Sequence, residues 1–110
     1  MARPIRNRRV FSEPEVVYFK PAGVPMRELE EVTLAVEELE ALRLCDAEEI
    51  NQKEASEKMN ISQPTFHRLI SSARKKIAKA LTKGNAIRIE GGNFEILKQG
   101  GFKKWKLQLQ

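Results

Sequence analysis

Residues 51–83 read NQKEASEKMNISQPTFHRLISSARKKIAKALTK, and the reading of this stretch decides the fold. Asn51 stands three residues before Glu54, ahead of the apolar Ala55 and Met59. That spacing is close to a capping box, in which two side chains satisfy orphan amides at a helix start, and it predicts a short helix over Gln52–Met59. Asn60 then ends the helix, because Asn tolerates left-handed backbone angles and can turn the chain within one residue. Ile61 follows as a buried plug and Ser62 as the N-cap of a second helix. Pro64 falls in the first turn of that helix, where a missing N–H costs nothing.

Along the second helix Phe66, Leu69, Ile70, Ala73, Ile77, Ala80 and Leu81 form one apolar stripe with the 3.6-residue period. The opposite face carries Pro64, Arg68, Ser71, Ser72, Lys75 and Lys79, with His67 and Arg74 on one flank and no acid. A buried stripe backed by Arg, Lys and Ser is what a helix laid against phosphates needs. The apolar spacing Ala55, Met59, Ile61, Phe66, Leu69, with small Ser56 and the turn at Asn60, matches the helix-turn-helix pattern, whose second helix enters the major groove by its N-terminal residues. The same pattern also fits an ordinary helical hairpin with a solvated basic face.

Outward from this stretch, charge is segregated. Residues 1–27 carry six basic and two acidic side chains, residues 28–60 three and eleven, and residues 61–110 eleven and two, for a total of +5. One surface then attracts phosphate while another repels it, an arrangement that orients a protein on a duplex. With 110 residues there is room for one small domain plus arms. The single Cys45 excludes an internal disulfide and reads as a small core residue beside Leu42 and Leu44. No signal peptide and no apolar run of about 18 residues is present, so the expectation is a cytoplasmic, nucleoid-associated protein without membrane contact. His67 is the only histidine, and without a second His or a Cys pair neither a zinc site nor a Ser-His or Cys-His dyad is expected. The carboxylates are expected on solvated helix faces. The chain therefore reads as a non-enzyme without cofactor or metal.

Met1–Arg9 holds Arg3, Arg6, Arg8 and Arg9 with no acid and nothing to bury, so it reads as a mobile arm. Such an arm could follow a minor groove or simply add charge. Val16-Val17-Tyr18-Phe19, between Pro14 and Pro21, reads as a short strand or an extended segment packed over the domain, with aromatics more often core than base-stacking. A helical turn is expected around Arg27–Val32 and a clear helix over Val36–Glu48, with Ala35 at an N-cap position where it cannot cap. Beyond Gly84 the period becomes two. Ile87 and Ile89, the Gly91-Gly92 turn, and Phe94 and Ile96 predict a β-hairpin, which Trp105, Leu107 and Leu109 could extend to a meander. Through Arg88 and Lys98 that hairpin could serve as a wing on DNA, or it could be a lid or a dimer contact.

Several blocks also resemble a known family: Arg3-Pro4, Arg8-Arg9-Val10, Tyr18-Phe19-Lys20-Pro21-Ala22-Gly23, Arg27-Glu28-Leu29-Glu30-Glu31-Val32, Glu38-Leu39-Glu40-Ala41-Leu42-Arg43-Leu44, Ser72-Ala73-Arg74-Lys75-Lys76 and Arg88-Ile89-Glu90-Gly91-Gly92. In this order they are similar to the prokaryotic "domain of unknown function 134" family of predicted DNA-binding proteins. The resemblance implies a helix-turn-helix similar to region 4 of sigma-70 factors, a DNA-binding or transcription-regulating role, and no catalysis.

The expected fold is mainly α, a three-helix helix-turn-helix core with a small C-terminal β-hairpin or meander. Residues 1–26 would form the basic arm and extended segment, 27–84 the DNA-binding domain and 85–110 the hairpin and tail. Ser62, Gln63, Pro64, Thr65, His67, Arg68 and Ser71 would read bases of double-stranded DNA. Gln63 suits adenine and Arg68 guanine, since each pairing makes two hydrogen bonds to one base edge. Arg74, Lys75, Lys79 and the arginines at 3, 6, 8 and 9 would contact phosphates. The alternatives are a module docking on RNA polymerase through the acidic Glu28–Glu57 block, or an RNA-binding protein. A homodimer would follow from a palindromic target.

Overall fold

A computed structural model describes residues 7–97. In chain order it contains β1 (Arg8–Val10), β2 (Tyr18–Phe19), β3 (Glu31–Leu34), α1 (Val36–Leu42), α2 (Gln52–Met59), α3 (Gln63–Lys83), β4 (Ala86–Ile89) and β5 (Phe94–Ile96). The fold is α-rich, with small strands in two sheets.

The local signals around Asn60 act as their chemistry requires. Asn51 Oδ1 accepts the Glu54 N–H at 2.8 Å and starts α2. Asn60 takes φ 61° and ψ 44°, the left-handed conformation that stops it. Two residues later Ser62 Oγ accepts the Thr65 N–H at 3.2 Å and starts α3, with Pro64 in its first turn. At the start of α1, Ala35 has no acceptor to offer, and the Glu38 carboxylate reaches back instead, accepting the Ala35 N–H at 2.9 Å. After Leu42 the helix widens into a π turn over Arg43–Ala47, closed by Glu48 N–H to Arg43 O and Ile50 N–H to Leu44 O.

The stripe of α3 is divided between two cores. Its first half, Phe66 and Ile70, is buried with Ala41, Leu44, Ala55 and Met59 of the helical layer, and Cys45 packs against the same group. Its second half, through Ala73, is buried with Val10, Leu34, Val36 and Ile89, with Ile77 packed alongside. Leu81 departs from the predicted stripe and is 73% exposed.

The β-hairpin expected over residues 87–96 does not form. β4 is the centre of a three-stranded sheet, antiparallel to β2 and parallel to β3, whereas β5 pairs in parallel with β1. The cause lies at Gly91 and Gly92, both at positive φ (79° and 110°). Instead of folding β5 back onto β4, they carry the chain across the start of α1, where Gly91 O accepts the Val36 N–H and Glu37 Oε2 accepts the Asn93 N–H. A Cβ on Gly92 would collide with the Glu37 carboxylate, so only glycine passes there. The third strand expected around Trp105 lies outside the described residues.

The N-terminal segment is also built into the fold from Arg8 onward. Val10, 1% exposed, is part of the core, because pairing with β5 satisfies the backbone that a mobile arm would leave to water. The Val16–Phe19 run is less buried than expected: Val16, Val17 and Phe19 are each about half exposed, since β2 is a two-residue edge strand. The turn expected over Arg27–Val32 is a 3-10 turn at Met26–Glu28, with Leu29 and Glu30 leading into β3 at Glu31.

Candidate nucleic-acid interface

Around α3 the side chains sort by angle. Taking Phe66 as the inward direction, Arg74 lies about 80° to one side and Lys76 about 80° to the other, while Arg68, Ser71, Lys75 and Lys79 fall between about 140° and 220°. Both flanking cations are engaged. The Arg74 guanidinium grips Asp46 of the π turn through Nε (3.0 Å) and Nη2 (2.7 Å), holding that carboxyl below its usual range. Lys76 Nζ donates to Glu38 Oε1 at 2.8 Å, and Ser72 Oγ donates to Glu38 Oε2 at 2.6 Å. Ser72, expected on the open face, is thus turned toward α1.

The outward sector is different. Ser62, Gln63, Pro64, His67, Arg68, Ser71, Lys75 and Lys79 are exposed and Thr65 is half-buried. Among the described residues no carboxylate lies within ion-pair distance of Arg68, Lys75 or Lys79. Arg68 Nη2 donates to Thr65 Oγ1, at 3.3 Å. The first turn of α3 holds no acid, and its amides add a partial positive charge.

The remaining predicted contacts separate from this sector. Arg3 and Arg6 lie outside the described residues. Arg8 and Arg9 stand on β1, where Arg9 approaches Glu95 at 4.0 Å, so neither belongs to a loose arm. Arg74 remains half exposed at the edge of the sector but is held by Asp46. Arg88, a candidate wing contact, is clamped by Glu31 at 2.9 and 2.8 Å with its guanidinium 4.7 Å from the Tyr18 ring centroid. That pair, with the Tyr18 hydroxyl also donating to Glu31, holds the Glu31 carboxyl down to about 2. Lys98 lies outside the described residues.

Reading the sequence missed the acids of α1. Glu37, Glu38 and Glu40, expected on a solvated face, are 6%, 5% and 3% exposed. Each ties α1 to another element: Glu37 to Asn93 N–H, Glu38 to α3, and Glu40 to the Phe11 N–H and bidentately to Arg43. Burial by itself would raise the Glu38 pKa, but Lys76, Ser72 and the Ala35 amide outweigh it and the value is lowered. The legible signal was Arg43 three residues after Glu40, an i,i+3 pair on one helix face. For Cys45, burial pushes the thiol pKa up, as suits a packing residue rather than a reactive one.

These features define a small α-rich domain that offers one long helix whose outward cations have no carboxylate partner among the described residues. The family comparison agrees with the blocks quoted above. The chain belongs to the family described as "protein of unknown function DUF134", whose model matches residues 1–97. It is 57% identical over 96 residues to a UPF0251 protein of Caldanaerobacter subterraneus subsp. tengcongensis, covering 87% of this chain and 81% of that one. It is 52% identical over 98 residues to a UPF0251 protein of Halothermothrix orenii, covering 89% and 73%. A UPF0251 protein of Desulforudis audaxviator is 58% identical over 97 residues, covering 88% of this chain and 63% of that one. No solved structure matches the chain. No helix among the described residues is long and apolar enough to cross a membrane.

Proposed function

We propose that the chain binds double-stranded DNA sequence-specifically and acts as a non-enzymatic transcriptional regulator. In this reading α2 and α3 form a helix-turn-helix related to region 4 of sigma-70 factors, and the first two turns of α3 enter the major groove. The observation that carries it is the outward sector of α3: Arg68, Lys75 and Lys79 stand exposed without a carboxylate partner among the described residues, while Arg74 and Lys76 on its flanks are paired. Unpaired cations on a convex helix are available to displace counterions from phosphates. Pairing of the flanks, by contrast, fixes how the helix is presented. Lys75 and Lys79 take phosphates, and Ser62, Gln63, Thr65, His67, Arg68 and Ser71 face base edges.

Exposed acids at Glu48, Glu49, Glu54 and Glu57 favour a second reading, docking on the transcription machinery through the acidic block before α3. One experiment separates them. Duplexes are selected from a random pool by the full chain at two salt concentrations. Enrichment of one motif, with affinity falling steeply as salt rises, supports DNA reading. Absence of any enriched motif at low salt overturns it and leaves the docking surface. Enrichment of a palindrome would add a homodimer with half-sites one helical turn apart, and better competition by single-stranded RNA than by duplex would replace DNA with RNA as the partner.

A further inference from the structure

From the hydrogen bonds at the start of α3, we infer that Thr65 is a specificity-determining residue, presenting with Arg68 an all-donor edge that fits the major-groove edge of guanine. The inference rests on the DNA reading above and names which base that face selects. Ser62 Oγ accepts the Thr65 N–H at 3.2 Å and donates its single proton to Thr65 Oγ1 at 2.9 Å. Arg68 Nη2 donates to the same Thr65 oxygen at 3.3 Å. Both acceptor positions of the Thr65 hydroxyl are therefore filled from within the helix, and a hydroxyl has two acceptor lone pairs and one donor. What remains is its O–H, beside a guanidinium with further N–H groups turned to solvent.

A guanidinium has no acceptor, so Thr65 and Arg68 together offer only donors. Guanine presents two acceptors in the major groove, N7 and O6, whereas adenine pairs its N7 with the N6 amino donor. An all-donor edge accepts the first and meets a donor in the second. Ser62 has a further role through the same bonds: it holds the Thr65 hydroxyl where Arg68 meets it. A long arginine whose guanidinium is already anchored loses less freedom on binding than one that is not.

The test uses the full chain and the duplex it enriches, with a guanine replaced in turn by inosine, which keeps N7 and O6, and by 7-deazaguanine, which lacks N7. At the guanine read by this pair, wild-type binding should be unchanged with inosine and fall about tenfold with 7-deazaguanine or adenine. Thr65→Val should narrow the guanine-over-adenine preference several-fold while leaving the salt dependence unchanged. Thr65→Ser, which keeps the hydroxyl, should restore the preference. If Thr65→Val does not fold by circular dichroism, Thr65→Ala, which favours helix, replaces it. Should the wild-type chain enrich no duplex, the DNA reading fails and this assignment with it. If it enriches a motif and the valine or alanine variant keeps the wild-type preference at every position, only the assignment fails.

Discussion

Lys75 and Lys76 are neighbours of the same chemistry, as are Ser71 and Ser72, yet the members of each pair serve opposite ends. Lys76 and Ser72 turn toward α1 and converge on the buried Glu38 carboxylate. Lys75 and Ser71, one residue earlier, look outward with no carboxylate near them among the described residues. A step of 100° around a helix separates a cation that holds the fold from one available to a partner. Charge counted along the sequence therefore overstates the binding face, because it adds cations that are already neutralised to those that are not.

That contrast can be broken from the inner side first. Ile70 is fully buried among the helices, and Ile70→Ala should cost about 2–5 kcal/mol, measured by denaturant unfolding. Next comes Glu38→Gln, which leaves Lys76 without its counter-charge and should cost about 1–3 kcal/mol near neutrality. The sign of its pH dependence follows from the lowered pKa. The contribution of Glu38 is fully present above the ordinary carboxylate value of 4.5 and is lost as pH falls through the folded value. Unfolding midpoints followed downward from pH 6 should therefore converge for wild type and Glu38→Gln; a constant gap would show that the carboxylate charge is not what matters.

On the outer side the expected effects are on binding rather than stability. Arg68→Ala should flatten base preference at one position by about tenfold with little change in melting temperature. Lys75→Ala should weaken all duplexes alike and reduce the slope of log affinity against log salt by about one, whereas Lys76→Ala should lower the melting temperature and leave that slope alone. If Lys76→Ala changed the slope as Lys75→Ala does, the division of α3 into an inner and an outer cation would be wrong. The smallest effect belongs to the exposed Glu31–Arg88 pair: Glu31→Gln should shift the melting temperature slightly at low salt and not at high salt, with the difference vanishing as pH falls from 4.5 toward about 2.

The two ends of the described chain offer a related contrast. β1, from a segment with three arginines in four positions (Arg6, Arg8, Arg9), reads as a tail, and β5 reads as half of a hairpin, yet they pair with each other. Period-two alternation was correctly visible in Ile87–Ile89 and Phe94–Ile96, since it follows from the geometry of any strand. Which strand each one joins was not. The Gly91-Gly92 step looks like a hairpin turn in one dimension, and only the position of Glu37 beside it shows why the chain crosses over α1 instead.

By itself, the sequence determined the caps at Asn51, Asn60 and Ser62, the lengths of α2 and α3, and the apolar stripe from Phe66 to Ala80, because these depend on contacts within one helical turn. Tertiary structure alone decided that the acids of α1 are buried, that Arg74, Lys76 and Arg88 are engaged, and that the N-terminal strand closes the second core. The side-chain pairings depend on partners 28 to 57 residues away in the chain, and the N-terminal strand on β5, which is farther off still. Spacing along a helix constrains its neighbours a turn away, and says nothing of a carboxylate brought in from another element.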